Sequence, residues 1–377
     1  MNYCQNCILP DSRPNLSIQE NGVCNACLSA AAKKSIDWDS RHRQLLQLVK
    51  NTKARAKHNG WDCVVPVSGG KDSTWQVLKC LELGLKPLCV TWRTPARNEL
   101  GQQNLDNLIS LGVDHFDISI NPDVERLFTL KALEKNGTPA LPMHMALFSL
   151  PINIALKFDI PLILWGENSA TEYGGDDVTT LGHEMNRAWL LKYGVTNGTV
   201  AEDWIDEDLS AKDMAPYYWP SDKITQEKGV TAAFLGWYLK WDPLNTYAVA
   251  KENGFKALEG NALTGYYKFA DVDDEFLITI HHWLKWYKFG FTRLWDNLSL
   301  EIRNGRVRRD EAISIIREHG DETPFEEIEK FCDWSGITQT EFFNKVSKFR
   351  NKNFWTRVNG RWAINGFLIE DWIWSNS

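Results

Sequence analysis

Short apolar runs alternate with amphipathic segments over residues 61–195 of the chain. The first run, DCVVPV at 62–67, is followed by a polar turn and a helical segment. Three later runs have the same setting and occupy 85–92, 115–120 and 161–168. The segments between them place apolar residues at helical spacing, and those at 98–112 and 122–137 end at a glycine. Strands that alternate with helices in this way predict a parallel, doubly wound α/β sheet.

The chain outside this predicted sheet domain divides into three parts. Residues 37–60 have the pattern of an amphipathic helix that ends at Gly60 and links an N-terminal module, residues 1–36, to the sheet. Beyond residue 195 the periodicity gives way to polar and aromatic segments, and long loops of this kind are typical of functional insertions. Helical periodicity returns in the last hundred residues. We therefore predict substrate-binding insertions and a helical C-terminal region over 196–377.

Composition argues against several classes of function. The 377 residues carry 42 Lys and Arg against 49 Asp and Glu, a net charge of −7, so a general nucleic-acid surface is not expected. The most apolar long stretch, 141–165, is interrupted by Pro, His, Lys and Asp and does not predict a membrane span. The first ten residues lack the regions of a secretion signal. We expect a soluble, cytoplasmic protein that binds neither nucleic acid nor membranes.

Four of the eight cysteines fall within the first 27 residues. They form two C-x2-C pairs, Cys4 with Cys7 and Cys24 with Cys27, with 16 residues between the pairs. Two tight turns that each offer two thiolates can complete the tetrahedral shell of one Zn²⁺, as in a zinc ribbon. Disulfides or redox pairs are the alternatives, but a reducing cytosol disfavours the first and no adjacent βαβ unit supports the second. Four thiolates leave no open metal position, so we predict a structural zinc.

Other reactive residue types are expected to be structural. The remaining cysteines lie in apolar surroundings and are expected in the core: Cys63, Cys80, Cys89 and Cys332. His281 and His282 lie on an aromatic helix and are expected to pack. The acidic residues of 271–275 could bind a metal, but a polar helix start is the preferred interpretation. Arg13 is the only basic residue before Lys33, so the cysteine module itself does not predict nucleic-acid binding.

The turn after the first apolar run carries the strongest chemical signal. It reads SGGKDST, residues 68–74, and lies between a predicted strand and a predicted helix. Two glycines allow the backbone to approach an anion, and the helix N-terminus provides free N–H groups. The side chains of Ser, Thr and Lys can add further donors. The Walker A pattern is absent, and a glycine turn that caps a helix is the plain alternative, but the full string in this setting predicts a phosphate-binding loop.

SGGKDS resembles the pyrophosphate loop of the N-type ATP pyrophosphatases, the PP-loop superfamily. Other strings resemble one branch of it, the N-acetyl sugar amidotransferases of lipopolysaccharide O-antigen and nonulosonate biosynthesis. They are the two cysteine pairs, WGENSATEYGG at 165–175, FLGWYLKWDP at 234–243 and KFGFTRLWDNLSLEIRNGRVRRDEA at 288–312. Because TRLWDN is bulkier than the glycine-rich stretch expected there, the resemblance assigns no role to Arg293. It implies a five-stranded, Rossmann-like (adenine nucleotide alpha hydrolase-like) sheet.

The resemblance also implies functional residues. The implied ATP-binding residues are Ser68, Gly69, Gly70, Lys71, Asp72, Ser73, Thr74, Val90, Trp92 and Gly166. Lys71 and Asp72 are the implied catalytic residues, and Asp72 is also the implied Mg²⁺ ligand. Glu167 and Asn168 follow a strand at its carboxyl end and are expected to meet the substrate. The arginines Arg303, Arg306 and Arg309 are expected either to clamp a substrate diphosphate or to form a solvated helix surface.

The implied activity is that of an ATP-dependent, AMP-forming carbon–nitrogen ligase, an amidotransferase. Such an enzyme adenylates the acetamido oxygen of an N-acetylated, nucleotide-linked sugar, and ammonia then displaces AMP to leave an acetamidino group. The implied cofactors are ATP, Mg²⁺ and structural Zn²⁺. The chain carries no recognisable glutaminase motif. The resemblance therefore implies a separate glutaminase partner, similar to the imidazole-glycerol-phosphate synthase subunits, as the source of ammonia.

Two other functions share some of these features. A tRNA-thiolating relative would have the same loop and often zinc-binding cysteines, but it would need a basic surface and catalytic cysteines near the sheet. A zinc-ribbon adaptor without enzymatic activity would tolerate the loss of Lys71 and Asp72. Both remain open from the residues alone.

Overall fold

The computed structural model describes residues 1–175, 182–321 and 323–374. At its centre lies a parallel sheet of five strands in the order β3-β2-β1-β4-β5. The strands are β1 Cys63–Pro66, β2 Pro87–Trp92, β3 Asp114–Ile118, β4 Leu162–Trp165 and β5 Thr231–Phe234. The α/β, Rossmann-like fold is thereby confirmed, and β1 to β4 overlap the four predicted apolar runs.

Helices surround the sheet and form the C-terminal region. In the first half of the chain they are α1 Asn25–Ala32, α2 Trp38–Arg55, α3 Lys71–Glu82, α4 Glu99–Ile109, α5 Pro122–Asn136, α6 Leu141–Lys157, α7 Ser169–Tyr173 and α8 Arg187–Tyr193. In the second half they are α9 Asp222–Lys228, α10 Leu235–Tyr238, α11 Pro243–Glu252, α12 Leu277–Phe289, α13 Arg293–Arg303, α14 Arg309–His319, α15 Phe325–Ser335 and α16 Gln339–Ser347. Short 3-10 turns occupy Lys33–Ser35, Ala201–Trp204 and Ala215–Tyr217.

Alternate residues of β1 point into opposite layers. Cys63 and Val65 pack in one core with Trp75 of α3. Val64 packs in another core with Ile152 of α6. Because both faces are buried, the central strands read as continuous apolar runs rather than as an alternating pattern. The cysteines predicted to be structural are all buried: Cys63, Cys80, Cys89 and Cys332.

The fifth strand corrects the predicted boundary at residue 195. β5 pairs in parallel with β4, with Leu162 opposite Thr231 and Trp165 opposite Phe234, so the sheet extends into the segment assigned to insertions. The strand is only four residues long and reads TAAF. Alanine has a low strand propensity and a run this short shows no alternation, so the pattern did not reveal it.

The C-terminal region is helical, as predicted, but it ends in an antiparallel hairpin. Its strands are β6 Trp355–Val358 and β7 Arg361–Ile364. Asn359 and Gly360 in the turn have φ of 51° and 82°, which is the geometry of an Asn-Gly hairpin turn. The Asn-Gly signal was present in the sequence and was missed because helical periodicity dominates this region.

The strand order creates a crevice at the carboxyl edge of the sheet. Connections from β1 lead through β2 to β3 on one side, whereas β4 and β5 lie on the other side of β1. The order therefore reverses between β1 and β4, the place where doubly wound sheets bind ligands. The turns after these two strands, 67–70 and 166–168, meet there. No helix within the described residues is long and apolar enough to cross a membrane.

Candidate active site

The turn after β1 is organised by its own side chains. The Ser68 N–H donates to Ser73 Oγ at 3.0 Å, and the Gly70 N–H donates to Ser68 Oγ at 3.3 Å. Helix α3 begins directly afterwards, at Lys71. The N–H groups and the positive dipole end of α3 therefore point into the crevice, an arrangement that suits an anionic group.

Gly69 has a conformation and a position that only glycine tolerates. Its φ is +90°, and a Cβ there would lie 2.6 Å from the backbone nitrogen of Leu105 on α4. We expect Gly69→Ala to lower the free energy of unfolding by at least about 2 kcal/mol, because a left-handed alanine is strained and α4 would have to move. Chemical denaturation measures this change. Gly60→Ala is the control, since no heavy atom lies within 4 Å of a Cβ at that position. Equal stability of the two variants would contradict the prediction.

Asp72 is held in place from three directions. Its Oδ1 accepts hydrogen bonds from Trp241 Nε1 at 3.1 Å and from Thr246 Oγ1 at 3.0 Å. Its Oδ2 forms an ion pair with Lys71. The Lys71 ammonium in turn lies over the rings of Trp241 and Phe269, at 5.8 and 5.7 Å from their centroids. The insertion after β5 therefore fixes the carboxylate that begins α3.

Two connected spaces open at this edge of the sheet. The smaller cavity, about 150 Å³, is lined by the loop residues Ser68, Gly70, Lys71, Asp72 and Ser73. The larger cavity, about 710 Å³, shares Ser68, Asp72 and Ser73 and extends away from the loop. Glu167, the second residue after β4, lines both cavities and therefore lies where the space beside the phosphate loop joins the larger space.

Four carboxylates line the smaller cavity beside the loop: those of Asp72, Glu167, Asp271 and Asp273. Oδ2 of Asp271 is buried without a hydrogen bond among the described residues, although the Arg293 Nε lies 3.8 Å away. Mg²⁺ prefers oxygen ligands and is commonly bound by one or two carboxylates together with substrate phosphates. The donor set beside the loop therefore fits Mg²⁺, with Asp72 and Asp271 as the residues that would hold it.

Burial, reinforced by the nearby charge of Asp72, raises the pKa of Glu167 from 4.5 to about 7. The pKa of this carboxyl group is higher in the folded than in the unfolded chain. The free energy of unfolding therefore falls as the pH rises from the unfolded pKa to the folded pKa, and the loss is complete above the folded pKa. At about 1.4 kcal/mol per pKa unit, the cost is on the order of 3 kcal/mol. Glu167→Gln removes this cost.

We therefore expect Glu167→Gln to be more stable than the parent chain by up to about 3 kcal/mol at about pH 8, and nearly equal to it at about pH 4.5. Urea denaturation of both proteins across this pH range measures the difference. A stability difference that does not change with pH would contradict the raised pKa.

Arg293 and Tyr173 form a wall that sequence reasoning missed. The Arg293 guanidinium lines both cavities and lies 5.6 Å from the centroid of the Tyr173 ring. The Arg13 guanidinium lies 5.7 Å from the centroid of the same ring. Tyr173 belongs to the WGENSATEYGG string, which was the available signal for its placement.

Helix α12 presents a polar face to the larger cavity. The residues on this face are Ile278, His281, His282, Lys285, Lys288 and Phe289, at helical spacing. The rings of His144 and His281 are 5.5 Å apart, and burial lowers the pKa of His144 to about 4 and those of His281 and His282 well below their usual value. The two histidines of α12 are buried, as predicted, but they also line a cavity, which their packing role did not indicate.

The four N-terminal cysteines form a buried cluster with the dimensions of a zinc site. All four sulfur atoms lie within 4.8 Å of one another. Cys4 and Cys27 have their sulfurs 3.9 Å apart, and those of Cys7 and Cys24 are 3.7 Å apart. Tetrahedral Zn–S bonds of about 2.3 Å place sulfurs about 3.8 Å apart. The predicted cluster is therefore confirmed, and it could hold a structural zinc ion.

The loop between the cysteine pairs forms part of the cavity wall. Arg13, Pro14 and Asn15 line the larger cavity. The Arg13 Nε donates to Asp296 Oδ1 at 2.9 Å, and Ser12 Oγ donates to the Phe289 carbonyl at 2.6 Å. The loop that joins the two cysteine pairs thus positions side chains at the site.

The comparisons with known proteins concern mainly the C-terminal region. Residues 261–367 match the family model described as LPS biosynthesis protein WbpG-like, C-terminal domain. Because of this similarity we call residues 261–367 the WbpG-like region. The match covers less than a third of the chain and confirms the predicted relationship to lipopolysaccharide biosynthesis proteins. No match was found among curated proteins.

Solved structures with partial likeness were also found. One is described as a predicted subunit of tRNA methyltransferase from Methanocaldococcus jannaschii, with 15% identity, a TM-score of 0.29, and coverage of 50% of this chain and 76% of the other. Another is NMN synthetase from Francisella tularensis, with 13% identity, a TM-score of 0.27, and coverage of 60% and 100%. At these TM-scores neither structure supports an inference about this chain.

The WbpG-like region supplies one side of both cavities. Helices α12 and α13 lie within it and carry Lys285, Lys288, Arg293 and Asp296. The preceding segment of the same region supplies Asp271. The phosphate loop comes from the sheet domain, so the two parts of the chain meet at the site.

The three arginines predicted to contact substrate lie elsewhere in the WbpG-like region. Arg303 donates to the Glu172 carbonyl at 2.8 Å and lies 3.8 Å from the Cys7 sulfur. Arg306 forms a two-pronged ion pair with Glu301 and a third contact with Asp242. Arg309 donates to the Cys7 carbonyl at 2.9 Å. Among the described residues that line the two cavities, none is one of these arginines, so the geometry favours a structural role.

Several other predicted site residues make contacts within the protein next to the cavities. Asn168 caps α7 and accepts a hydrogen bond from Trp189 Nε1 at 2.9 Å. Thr74 Oγ1 donates to the Gly70 carbonyl at 3.2 Å. Gly166 leaves room for Gln76, whose side-chain nitrogen would lie 2.3 Å from a Cβ there. Val90 and Trp92 are buried at the end of β2 and do not line either described cavity. Their ATP-binding roles stay predictions.

Proposed function

We propose that this chain is an ATP-dependent amidotransferase of lipopolysaccharide biosynthesis. It adenylates the acetamido oxygen of an N-acetylated, nucleotide-linked sugar and replaces this oxygen with ammonia, so that an acetamidino group, AMP and pyrophosphate are formed. One observation carries the proposal: the phosphate loop opens into a 710 Å³ cavity whose opposite wall comes from the WbpG-like region. A nucleotide at the loop and a sugar in the larger cavity would share one space.

The loop side of the site suits the leaving pyrophosphate. The N-terminus of α3, the hydroxyls of Ser68 and Ser73 and the Lys71 ammonium offer donors in one small cavity. When bound, Mg²⁺ supplies neutralisation of phosphate charge, with Asp72 and Asp271 as its protein ligands. The Arg293 guanidinium faces the same space and would stabilise the negative charge on the α phosphate.

The chemistry needs positioning more than a strong nucleophile. The amide oxygen attacks the α phosphorus, the bond to pyrophosphate breaks, and the oxygen becomes part of an AMP leaving group. Ammonia then adds to the imidate carbon, and the bond to AMP breaks. Holding both reactants in one cavity supplies most of the acceleration.

We assign to Glu167 the role of accepting the proton that ammonia loses. It lines both cavities, between the loop and the space for the sugar. Its pKa, raised to about 7 by burial and by Asp72, is close to the value at which a carboxylate is an effective general base in neutral solution. Glu167→Gln is thus expected to lose activity while gaining stability.

A separate glutaminase, similar to imidazole-glycerol-phosphate synthase subunits, would deliver the ammonia. The positions of the cysteines support the assignment of ammonia release to a partner protein. Four of them belong to the N-terminal cluster, and the other four are buried in the core. A glutaminase of the cysteine type needs an accessible, activated thiolate. Ammonium at high concentration is expected to replace the partner in the test tube.

The experiment is incubation with ATP, Mg²⁺, ammonium and a panel of nucleotide-linked diacetamido sugars, with mass spectrometry of nucleotides and sugars. AMP and pyrophosphate, formed together with a sugar in which one oxygen is exchanged for NH, are expected. ADP formation, or no turnover on any sugar, would overturn the proposal. Modification of tRNA with AMP release would favour the thiolation alternative instead.

A further inference from the structure

The part of the larger cavity that lies away from the phosphate loop is rich in positive charge. Four cations line the larger cavity but not the smaller one: Arg13, Lys192, Lys285 and Lys288. Among the described residues, Asp296 is the one carboxylate that lines this part. The carboxylates of Asp72, Glu167 and Asp271 belong to the end shared with the loop.

Asp296 is already shared by two of these cations. It is 1% exposed, and its two oxygens contact the Arg13 Nε at 2.9 Å and the Lys285 Nζ at 3.2 Å. The pair of cations holds the pKa of the Asp296 carboxyl well below its usual range against the effect of burial. This group of three therefore retains one positive charge.

Lys288 has neutral partners. Its ammonium donates to the Gly137 carbonyl and to Thr138 Oγ1, both at 2.8 Å, and it forms no ion pair within the described residues. Burial, and secondarily the charge of Lys285 one turn earlier, lowers the pKa of Lys288 from 10.5 to about 7. An ammonium has three donors, so one N–H is left for a further partner. A half-buried cation of this kind is stabilised by an anion from outside the chain.

We propose that Lys288 binds a phosphate of the sugar substrate's nucleotide diphosphate. This inference rests on the proposed function and assigns the phosphates to α12, not to the cluster of Arg303, Arg306 and Arg309. At this end the described cations, Arg13, Lys192, Lys285 and Lys288, outnumber the one carboxylate. This excess of positive charge suits the two charges that a diphosphate carries between its two esters better than the single charge of a sugar carboxylate. The acetamido group would then extend toward the loop.

The test uses the full chain with its phosphate loop filled by Mg²⁺ and α,β-methylene ATP, which cannot release pyrophosphate. Uridine diphosphate and cytidine diphosphate are then titrated by calorimetry. We expect Lys288→Met to weaken binding of at least one of them by at least about 10-fold, because a charge-assisted hydrogen bond is lost. Lys288→Arg should restore part of the affinity.

The matched control is Lys79→Met, which removes a lysine that pairs with Glu82 on the outer surface of α3. The fold of Lys288→Met is expected to persist, since the substitution removes a half-buried charge that has no acidic partner among the described residues. Thermal unfolding checks this for both variants.

Several outcomes would overturn the proposal. One is that Lys288→Met binds the diphosphates as tightly as the parent chain, and another is that the parent chain does not bind them below about 1 mM. A third is that Lys288→Met weakens the binding of α,β-methylene ATP instead of the binding of the diphosphates. A fourth is an affinity for glucuronate that depends on Lys288 and exceeds the affinity for the diphosphates. The titrations need no turnover. If no sugar of the panel is turned over, the diphosphate titrations can still be interpreted. If the diphosphate affinity is unchanged in Lys288→Met, the test of the amidotransferase reaction can still be interpreted.

Discussion

A Cys24→Ser variant is expected to lose its zinc and to unfold the N-terminal module. Cys24 supplies one of four buried thiolates whose spacing matches a tetrahedral zinc shell. In small zinc-binding units the metal contributes on the order of 10 kcal/mol to folding, and three cysteines with one serine lose most of it. The measurements are zinc content after dialysis and thermal unfolding of the purified chain.

The loss should reach the cavity as well as the module. Arg303 lies 3.8 Å from the Cys7 sulfur, and the neighbouring thiols together with this guanidinium hold the pKa of the Cys7 thiol below its usual range. Removal of the zinc cluster would leave Arg303 buried without this partner and would free Arg13 from Asp296. We expect hydrogen exchange to increase in residues 1–36 and in α13.

Cys332→Ser is the matched control for the zinc prediction. Cys332 is also buried, on α15, but it lies outside the cluster. Its replacement is expected to cost about 1 kcal/mol and to leave the zinc content unchanged. A Cys24→Ser chain that retains zinc and unfolds at the parent temperature would show that the cluster is not a structural zinc site.

The parts of the fold that were predictable are those in which local sequence determines local structure. Strands β1 and β2 are buried on both faces. Because the residues of both faces must then be apolar, each strand is a continuous apolar run in the sequence. The phosphate loop requires glycine at residue 69 because of a positive φ and the close approach of α4. The cysteine pairs are equally local, since metal geometry fixes their spacing.

The parts that were not predictable depend on contacts between distant segments. Arg13, Asp72 and Lys288 come from three separate parts of the chain and share one cavity only because the fold brings them together. The polar face of α12 was visible as a spacing of histidines and lysines, but periodicity shows that a face exists and not what it faces.

The arginine cluster shows the opposite error. Three arginines close together in the sequence suggested an anion clamp, yet Arg306 pairs with Glu301 and Asp242. The Arg309 Nε donates to the Cys7 carbonyl. A charge in the sequence does not reveal its partner, and an arginine whose donors are filled inside the protein has few left for a ligand.

Asp72→Asn is expected to abolish nearly all turnover while preserving the fold. An asparagine keeps an oxygen for the hydrogen bonds from Trp241 and Thr246, so the connection to α11 persists. It loses the negative charge that pairs with Lys71 and that would ligate Mg²⁺. We expect the rate of AMP formation to fall at least about 10²-fold, and the free energy of unfolding to fall by about 1 kcal/mol because a helix N-terminus loses its acidic residue.

Asp123→Asn separates the two contributions. Asp123 also lies in the first turn of a helix, α5, but its side chain is 81% exposed and pairs with Arg126. Its replacement should produce a comparable, small loss of stability and no loss of AMP formation. Calorimetry with α,β-methylene ATP, with and without Mg²⁺, gives a second measurement that needs no sugar. Mg²⁺ should strengthen binding to the parent chain and to Asp123→Asn but not to Asp72→Asn. If Asp72→Asn formed AMP at the parent rate, the phosphate loop could not be the catalytic centre, because its only charged pair would then be dispensable.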